Sequence, residues 1–416
     1  MTKRVDTLVI GGGSVGVCIA YFLSRRGREV TVVDQGQVGA ACSYGNAGMI
    51  APSHIIPLPA PGVLLKGLKW MWNPESPLYI KPRLDLALLS WLSRFGMACR
   101  KAPMVRAMSL MRQLTQASMA LYQDFALAGA FGFHFKQKGS LMIYKNLGSF
   151  EASVKETELL KPYGITCKVL GYADVQQIEP RVHSGVVGGI YFPEDAHLNP
   201  YEFVTGLASC SLNDGVKVLT STEVLGFETS GERVSTVRTT RGDFVAEQVV
   251  LAAGSWSPQL VRGLGMRIPI QPAKGYSITV RCSERDDSIP VWLSETKVIV
   301  TPMGGILRFA GTLELAGLDF SISQRRVGAI QRAVREYLVG MDEYELLEVW
   351  RGLRPLTPDG LPIIGKSRKW KNLIIATGHG MQGLALGPIT GKLVAQLVCG
   401  ETPSIDLTAL REERFL

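Results

Sequence analysis

Residues 5–34, VDTLVIGGGSVGVCIAYFLSRRGREVTVVD, constrain this chain more than any other stretch. Val5, Leu8, Val9 and Ile10 form an apolar run of strand length that stops at Gly11, Gly12 and Gly13, followed by Gly16. Helical spacing then carries Val17, Ile19, Ala20, Phe22 and Leu23 as far as Gly27, and a second apolar run from Glu29 to Val33 ends at Asp34. The pattern predicts strand, tight turn, helix, strand. Gly11 suits the sharp turn, Gly13 lets backbone approach a pyrophosphate, and Gly16 lets the helix pack close on the strands. Phosphates would rest on the free amides at the helix N-terminus, where the macrodipole favours negative charge. Gly11, Gly13, Ser14, Val15 and Gly16 are therefore cofactor-binding candidates. Asp34, 18 positions after Gly16 and followed by Gln35, is placed to accept hydrogen bonds from ribose hydroxyls, and its charge disfavours a 2′-phosphate.

A secretory signal is the competing reading, since Lys3 and Arg4 precede the apolar run. Asp6 and the glycine spacing argue against it, and cleavage would discard the motif. The chain has 416 residues, 46% of them hydrophobic, enough to bury a large core in two or three domains. Cys18, Cys42, Cys99, Cys167, Cys210, Cys282 and Cys399 are scattered and odd in number, which favours reduced thiols in a cytoplasmic compartment. The five histidines have no ligand spacing, so no metal is expected. The net charge of +9 comes without a dense basic run, which argues against nucleic acid. No apolar stretch is long enough to span a bilayer.

Beyond Asp34 the chain turns small and glycine-rich through residues 39–53, GAACSYGNAGMIAPS. A plain nicotinamide domain would continue into another regular βα unit, whereas this segment suits backbone lying flat against a large planar ligand, which points to a flavin. Ser43, Asn46, Ala47, Gly48, Met49 and Ile50 are the candidates there. Residues 55–98 combine proline breaks with Trp70, Trp72, Trp91 and lysines. They fit packing under a helical layer or, alternatively, peripheral contact with the inner face of a membrane.

Further along, residues 104–130 predict a helix, 131–144 paired strands around Lys138-Gly139, and 149–163 another helix. Residues 188–192 predict a strand and Asn199-Pro200 a helix start, with His197 a surface or capping residue. Residues 217–252 read as strand, hairpin and strand, and Val224, Ala253, Gly254 and Trp256 at these strand ends join the cofactor candidates, because ligands collect there in parallel sheets. Runs near 276–280, 297–301 and 306–311 suggest an antiparallel sheet, and 323–338 an amphipathic helix. The last sixty residues repeat the opening theme with a strand at 372–376 and a glycine turn feeding a helix. The expected class is α/β (α+β), a Rossmann-like domain with an inserted, mainly antiparallel substrate domain. The cofactor domain takes residues 1–90, 150–270 and 345–416, and the substrate domain 91–149 and 271–344.

VIGGGSVGVCIAYFLSRRGREVTVVD, SYGNAGMIAPS, AAGSWS, KGYS, WRGLRPLTPDGLPIIG and ATGHGMQGLALGP, in this order, resemble the D-amino-acid oxidase superfamily of FAD enzymes, nearest the bacterial D-amino acid dehydrogenase (small-subunit) group. The resemblance implies oxidation of an amino acid to an imino acid, which water hydrolyses to a 2-oxo acid and ammonia. D-amino acids are the leading substrates, D-proline and hydroxy-D-proline included, with sarcosine, glycine or L-proline oxidation as the alternative. It carries the carboxylate-binding arginine onto Arg354 and the loop facing the flavin pyrimidine onto residues 377–383, making Gly378, Gly380, Met381, Gln382 and Gly383 candidates. The tyrosine that helps hold the carboxylate in better-known oxidases is missing from 297–302, and Tyr276 is the candidate replacement. No cysteine matches the covalently flavinylated members, so noncovalent FAD is expected.

A guanidinium grips a carboxylate with two parallel hydrogen bonds, which suits Arg354 to orient the substrate. No general base is expected, because a neutral amine can push hydride onto the flavin unaided. The amides of Met381 and Gln382, at a helix start after Gly380, are expected to face the negative charge that develops on reduction, with His379 adding charge or a hydrogen bond. The electron acceptor is oxygen, a quinone, a carrier or a dye, and assembly into a homo-oligomer is compatible with the sequence.

Overall fold

The computed structural model describes residues 2–63, 76–282, 288–341 and 344–416. Trp70 and Trp72 lie outside the described residues.

Two sheets carry the fold. The first has a parallel centre in the spatial order Lys217–Leu219, Val30–Val33, Thr2–Ile10, Gly242–Leu251 and Leu373–Thr377. Its middle strands are buried on both faces, as Val30–Val33 and Leu373–Thr377 are throughout, the condition under which parallel strands become continuous apolar runs. One face is covered by the helices Ser14–Ser24 and Gly387–Val398, with the long helix Lys101–Ala128 over them. The two short helices nearly touch: a Cβ added at Gly391 would sit 2.6 Å from the Cys18 carbonyl carbon. The opposite face packs Val261, Leu264, Met266, Trp370 and Phe415.

The second sheet runs Leu346–Leu356, Gln271–Arg281, Ile306–Leu315, Val298–Pro302, Val291–Leu293, Ser140–Tyr144, Gly188–Phe192 and Lys168–Gly171. It is antiparallel apart from the Val291–Leu293/Ser140–Tyr144 pair and the short strand Leu78–Ile80 beside Ile306–Leu315. The amphipathic helix Gln324–Tyr337 buries Val327, Ile330, Val334 and Tyr337 on one face of this sheet, positions spaced as one helical stripe. The other face looks toward the first sheet.

Several expectations need correcting. Residues 131–144 are not a hairpin: only Ser140–Tyr144 is a strand, and Lys136 bridges to His197 instead. Gly139, with φ +82°, ends the approach to that strand rather than turning between two. Gly188–Phe192 and Lys168–Gly171, placed by sequence on the cofactor side, pair with Ser140–Tyr144 in the second sheet. The helix expected over 149–163 breaks after Thr157 and resumes as one 3-10 turn, Lys161–Tyr163. His197 is buried, its backbone paired with Met49, and the cap of helix Pro200–Asn213 is Asn199, whose Oδ1 accepts from the Tyr201 and Glu202 amides.

Candidate functional site

The carboxyl ends of the parallel strands and the facing second sheet enclose a cavity of about 770 Å³, a volume suited to a large ligand. At one end Gly11 turns with φ +112°, and a Cβ there would lie 2.5 Å from the Ala252 carbonyl oxygen. A Cβ on Gly16 would fall 1.8 Å from the Gly11 carbonyl oxygen, so both positions require glycine for close approach. A Cβ at Gly13 would meet only Ser43 Oγ, at 3.4 Å, which leaves the space above it open to a ligand. The helix Ser14–Ser24 aims its first-turn amides at this space. Asp34 anchors the turn: its Oδ2 accepts from the Gly12 amide at 2.6 Å and its Oδ1 from the Gly36 amide at 2.7 Å. Each oxygen keeps a second lone pair for a ribose hydroxyl.

Gly11, Gly13, Ser14, Val15, Asp34, Gln35, Ser43, Asn46, Ala47, Met49, Val224, Ala253, Gly254 and Trp256 all line the cavity, as do Arg354, His379, Gly380, Met381, Gln382 and Gly383. Gly16, Gly48, Ile50 and Gly378 stand behind the lining and shape the backbone that forms it. Part of the expected hydrogen-bonding capacity is consumed internally. Ser43 Oγ accepts from the Ser14 amide at 2.9 Å and Asn46 Oδ1 from the Gly48 amide at 2.8 Å. Arg308, from the second sheet, clamps this loop through the Tyr44 and Asn46 carbonyls at 2.8 and 3.1 Å.

Arg354 reaches from the strand Leu346–Leu356 across Gly275, where a Cβ would lie 1.9 Å from its Nη1. Nη1 donates to the Thr312 carbonyl at 2.9 Å, and Thr312 adopts φ +61° to present that oxygen. No carboxylate pairs with the guanidinium among the described residues, and burial holds its pKa below the usual arginine range. An unpaired cation at the wall of a cavity is a site for an anion.

Tyr276 is not part of this wall. Arg354, Gly352 and Trp350 pair with Ala273, Gly275 and Ser277, so the alternation of strand side chains sends Tyr276 to the opposite face. There it packs in the core under the Gln324–Tyr337 helix, and its hydroxyl donates to Glu314 at 3.0 Å. The expectations for the 377–383 loop also change. Gln382 donates its amide to the His379 carbonyl at 2.9 Å, inside a 3-10 turn, and the α-helix begins only at Gly387. His379 is buried with Nε2 3.0 Å from Thr390 Oγ1, and burial lowers its pKa to about 3. It is therefore a neutral imidazole at pH 7 and supplies no charge.

Sequence reading missed a polar cluster at the cavity wall. Asp195, wholly buried, accepts from the Ser53 amide at 3.3 Å, Ser53 Oγ at 2.8 Å and Ser140 Oγ at 2.6 Å. Burial pushes its carboxyl up, opposed by His54 and the two serines. His54 Nδ1 lies 3.1 Å from Ser53 Oγ, and the ring stacks on Trp292 with centroids 4.7 Å apart. Burial holds the imidazole below its usual range, against the pull of Asp195. His54 and Trp292 both line the cavity. Ser53, Ser140, Asp195 and Trp292 sit in four separate stretches, so no local pattern marks them.

Residues 6–397 match the family model described as DAO, FAD dependent oxidoreductase. The chain belongs to this family. It is an FAD-dependent oxidoreductase. The chain is 34% identical over 414 residues to a D-amino acid dehydrogenase of Granulibacter bethesdensis, covering 98% of this chain and 99% of that one. It is 32% identical to a D-amino acid dehydrogenase of Vibrio atlanticus, covering 99% and 100%. Among solved structures, glycine oxidase from Geobacillus kaustophilus superposes with a TM-score of 0.81 at 22% identity, covering 99% of both chains. L-proline dehydrogenase from P. horikoshii gives 0.78 at 22% identity, covering 100% and 98%. These two likenesses concern the fold. No helix among the described residues is long and apolar enough to cross a membrane.

Proposed function

We propose that this FAD-dependent oxidoreductase is a D-amino acid dehydrogenase, oxidising its substrate to an imino acid that water converts to a 2-oxo acid and ammonia. The observation that carries the reading is Arg354, a cavity-facing cation with a protein carbonyl, but no carboxylate, as its partner among the described residues. Full-length relatives named D-amino acid dehydrogenase support the D-amino acid class. The flavin supplies the hydride acceptor. The protein supplies position: the Thr312 carbonyl fixes one edge of the guanidinium, leaving the rest of the fork to hold the substrate carboxylate. Met381, whose amide has no backbone acceptor among the described residues, remains the candidate donor toward the flavin's pyrimidine end. His379 acts as a neutral spacer, held by Thr390.

Noncovalent FAD is favoured because Cys42, the cysteine in the lining, is a neutral thiol with its pKa raised to about 11 and its Sγ donating to the Leu353 carbonyl at 2.6 Å. Acid precipitation should release all the flavin. Sheet membership supports a division into cofactor and substrate parts, with Gly188–Phe192 and Lys168–Gly171 assigned to the latter. A quinone acceptor at a membrane surface is the favoured partner. The approach to the Leu86–Ala98 helix and its first turn leave Leu84, Leu86 and Leu89 exposed, a few residues after the exposed Lys81, an apolar and cationic mixture at home in a lipid interface. Cosedimentation with anionic vesicles tests that contact, and light scattering tests oligomer formation.

The deciding assay is anaerobic flavin reduction with paired D and L amino acids, D-proline included. Bleaching by D but not L members is expected. Bleaching by L-proline, glycine or sarcosine, with D-amino acids inert, would overturn the reading.

A further inference from the structure

The charged residues that line the cavity are sorted by sheet. Among the described residues, Asp34 and Glu223 stand together at the ends of the first sheet, where the Thr222 amide donates to the Asp34 carbonyl at 2.7 Å. Arg354 and Lys297 belong to the second sheet. The two lining histidines, His54 and His379, are neutral at pH 7, since burial lowers the pKa of both. The second-sheet wall therefore presents two cations and, among the described residues, no acid, a field that gathers anions. A single α-carboxylate answers only the first of them.

Lys297 ends the turn between the strands Val291–Leu293 and Val298–Pro302. Lys297, Ile299 and, opposite Ile299, Trp292 all line the cavity, so the lysine shares the inward side of that strand. Its charge is felt inside the wall: burial first, and Lys297 with it, hold the His54 imidazole below its usual range, against the pull of Asp195. Val298 pairs with Gly311, which sets Lys297 beside Thr312, the residue whose carbonyl holds Arg354. The Lys297 backbone and that carbonyl thus lie on neighbouring strands, which run about 5 Å apart. Two carboxylates joined through two or three carbons span a similar distance.

The turn itself does not call for a lysine. Lys297 holds φ +56°, a left-handed conformation that glycine adopts freely and that strains an L side chain. What lysine adds at this position is its ammonium.

We propose that Lys297 binds a carboxylate on the substrate's side chain while Arg354 holds the α-carboxylate, making acidic D-amino acids the preferred substrates. The proposal rests on the D-amino acid reading above. A point charge on a flexible stem with three rotatable donors can meet either chain length, aspartate or glutamate. The corresponding amides keep the shape and lose the charge. Forfeiting one charge-assisted hydrogen bond lowers their kcat/KM by about 10- to 150-fold.

The test compares kcat/KM for D-glutamate against D-glutamine, and D-aspartate against D-asparagine, in the wild-type holoenzyme, Lys297→Gly and Lys297→Met. The wild type should favour the acid in at least one pair by about tenfold or more. Both variants should bring that ratio to within about threefold, through loss on the acid. Lys297→Gly relieves the turn and should unfold in urea no earlier than the wild type, which separates lost recognition from lost structure. A second readout is the affinity of glutarate relative to pentanoate, followed by flavin difference absorbance; the wild type should favour the dicarboxylate and both variants should not. A wild type without these preferences, either variant keeping them, or an equal loss on acid and amide overturns the proposal. A substrate-free flavin spectrum that changes in the variants also overturns it, by placing the lysine against the cofactor. If neutral D-amino acids bleach the flavin but the ratios fail, only this inference falls; if no D-amino acid bleaches it, the functional reading falls as well.

Discussion

Replacing Arg354 separates orientation of substrate from stability of the fold. In the native site one guanidinium nitrogen is committed to the Thr312 carbonyl at 2.9 Å, and the remaining fork is free for a carboxylate. A lysine there brings a compact ammonium that can satisfy Thr312 and one carboxylate oxygen but cannot form two parallel bonds. Losing one charge-assisted hydrogen bond is worth about 1.5–3 kcal/mol, so kcat/KM for Arg354→Lys should fall by about 10- to 150-fold. Arg354→Met leaves the substrate carboxylate unpaired in the cavity, worth about 3–5 kcal/mol, or a loss of about 150- to 5000-fold. Stability should move the other way. Burial already depresses the arginine's pKa and no ion pair among the described residues offsets it, so the methionine variant should unfold in urea no earlier than the wild type. Stopped-flow flavin reduction under anaerobic conditions gives the first quantity, and tryptophan fluorescence in urea the second. Turnover by Arg354→Met within about threefold of wild type, or an activity loss matched by earlier unfolding, would refute the assignment.

His379 makes the fold sensitive to acid. Its folded pKa is about 3 against about 6.5 when unfolded, so the unfolded chain binds the extra proton; the contribution is present above about pH 6.5 and declines as pH falls toward 3. The loss should reach about 2 kcal/mol at about pH 5, visible as a larger shift of the urea midpoint in wild type than in His379→Gln; equal shifts would contradict it. Gly275→Ala should behave as an arginine variant without touching the arginine, since its Cβ would fall 1.9 Å from Arg354 Nη1; an unchanged KM would show that the arm can move aside. Lys274, 1% exposed, pairs with Asp319 at 3.0 Å and Glu314 at 3.6 Å. Lys274→Met removes the buried cation between them, leaving Asp319 to Lys81 at 3.6 Å and Glu314 to Arg326 at 3.9 Å, and should cost about 1–3 kcal/mol in urea unfolding; a neutral outcome would mean those cations take over its role.

The opening strand, glycine turn and helix were readable because their logic is local: strand, Gly11, helix and Asp34 follow one another within thirty residues, and each residue type has one physical task. The motif marked Arg354 as a candidate, and the structure places it in the cavity wall, but Thr312 and Gly275, which aim it, left no signal. Their importance comes from strand register, and register is a long-range property. The same parity explains the misplacement of Tyr276: its neighbours Gly275 and Ser277 face the cavity, so it cannot. The helix start after Gly380 failed for a different reason. Glycine and polar residues mark the end of a loop as readily as the first turn of a helix, and here a 3-10 turn intervenes. The His54 cluster left no local trace, because Ser53, Ser140, Asp195 and Trp292 converge only when both sheets are in place.

The interleaving of the first sheet has a consequence for biosynthesis. The strand Leu373–Thr377 completes the parallel centre beside Gly242–Leu251, and the helix Gly387–Val398 locks onto Ser14–Ser24. A chain translated only as far as Arg354 has its opening glycine turn but lacks the strand and loop that complete the cavity wall. A chain ending there should accordingly purify colourless, and the same chain extended through Val398 should purify yellow.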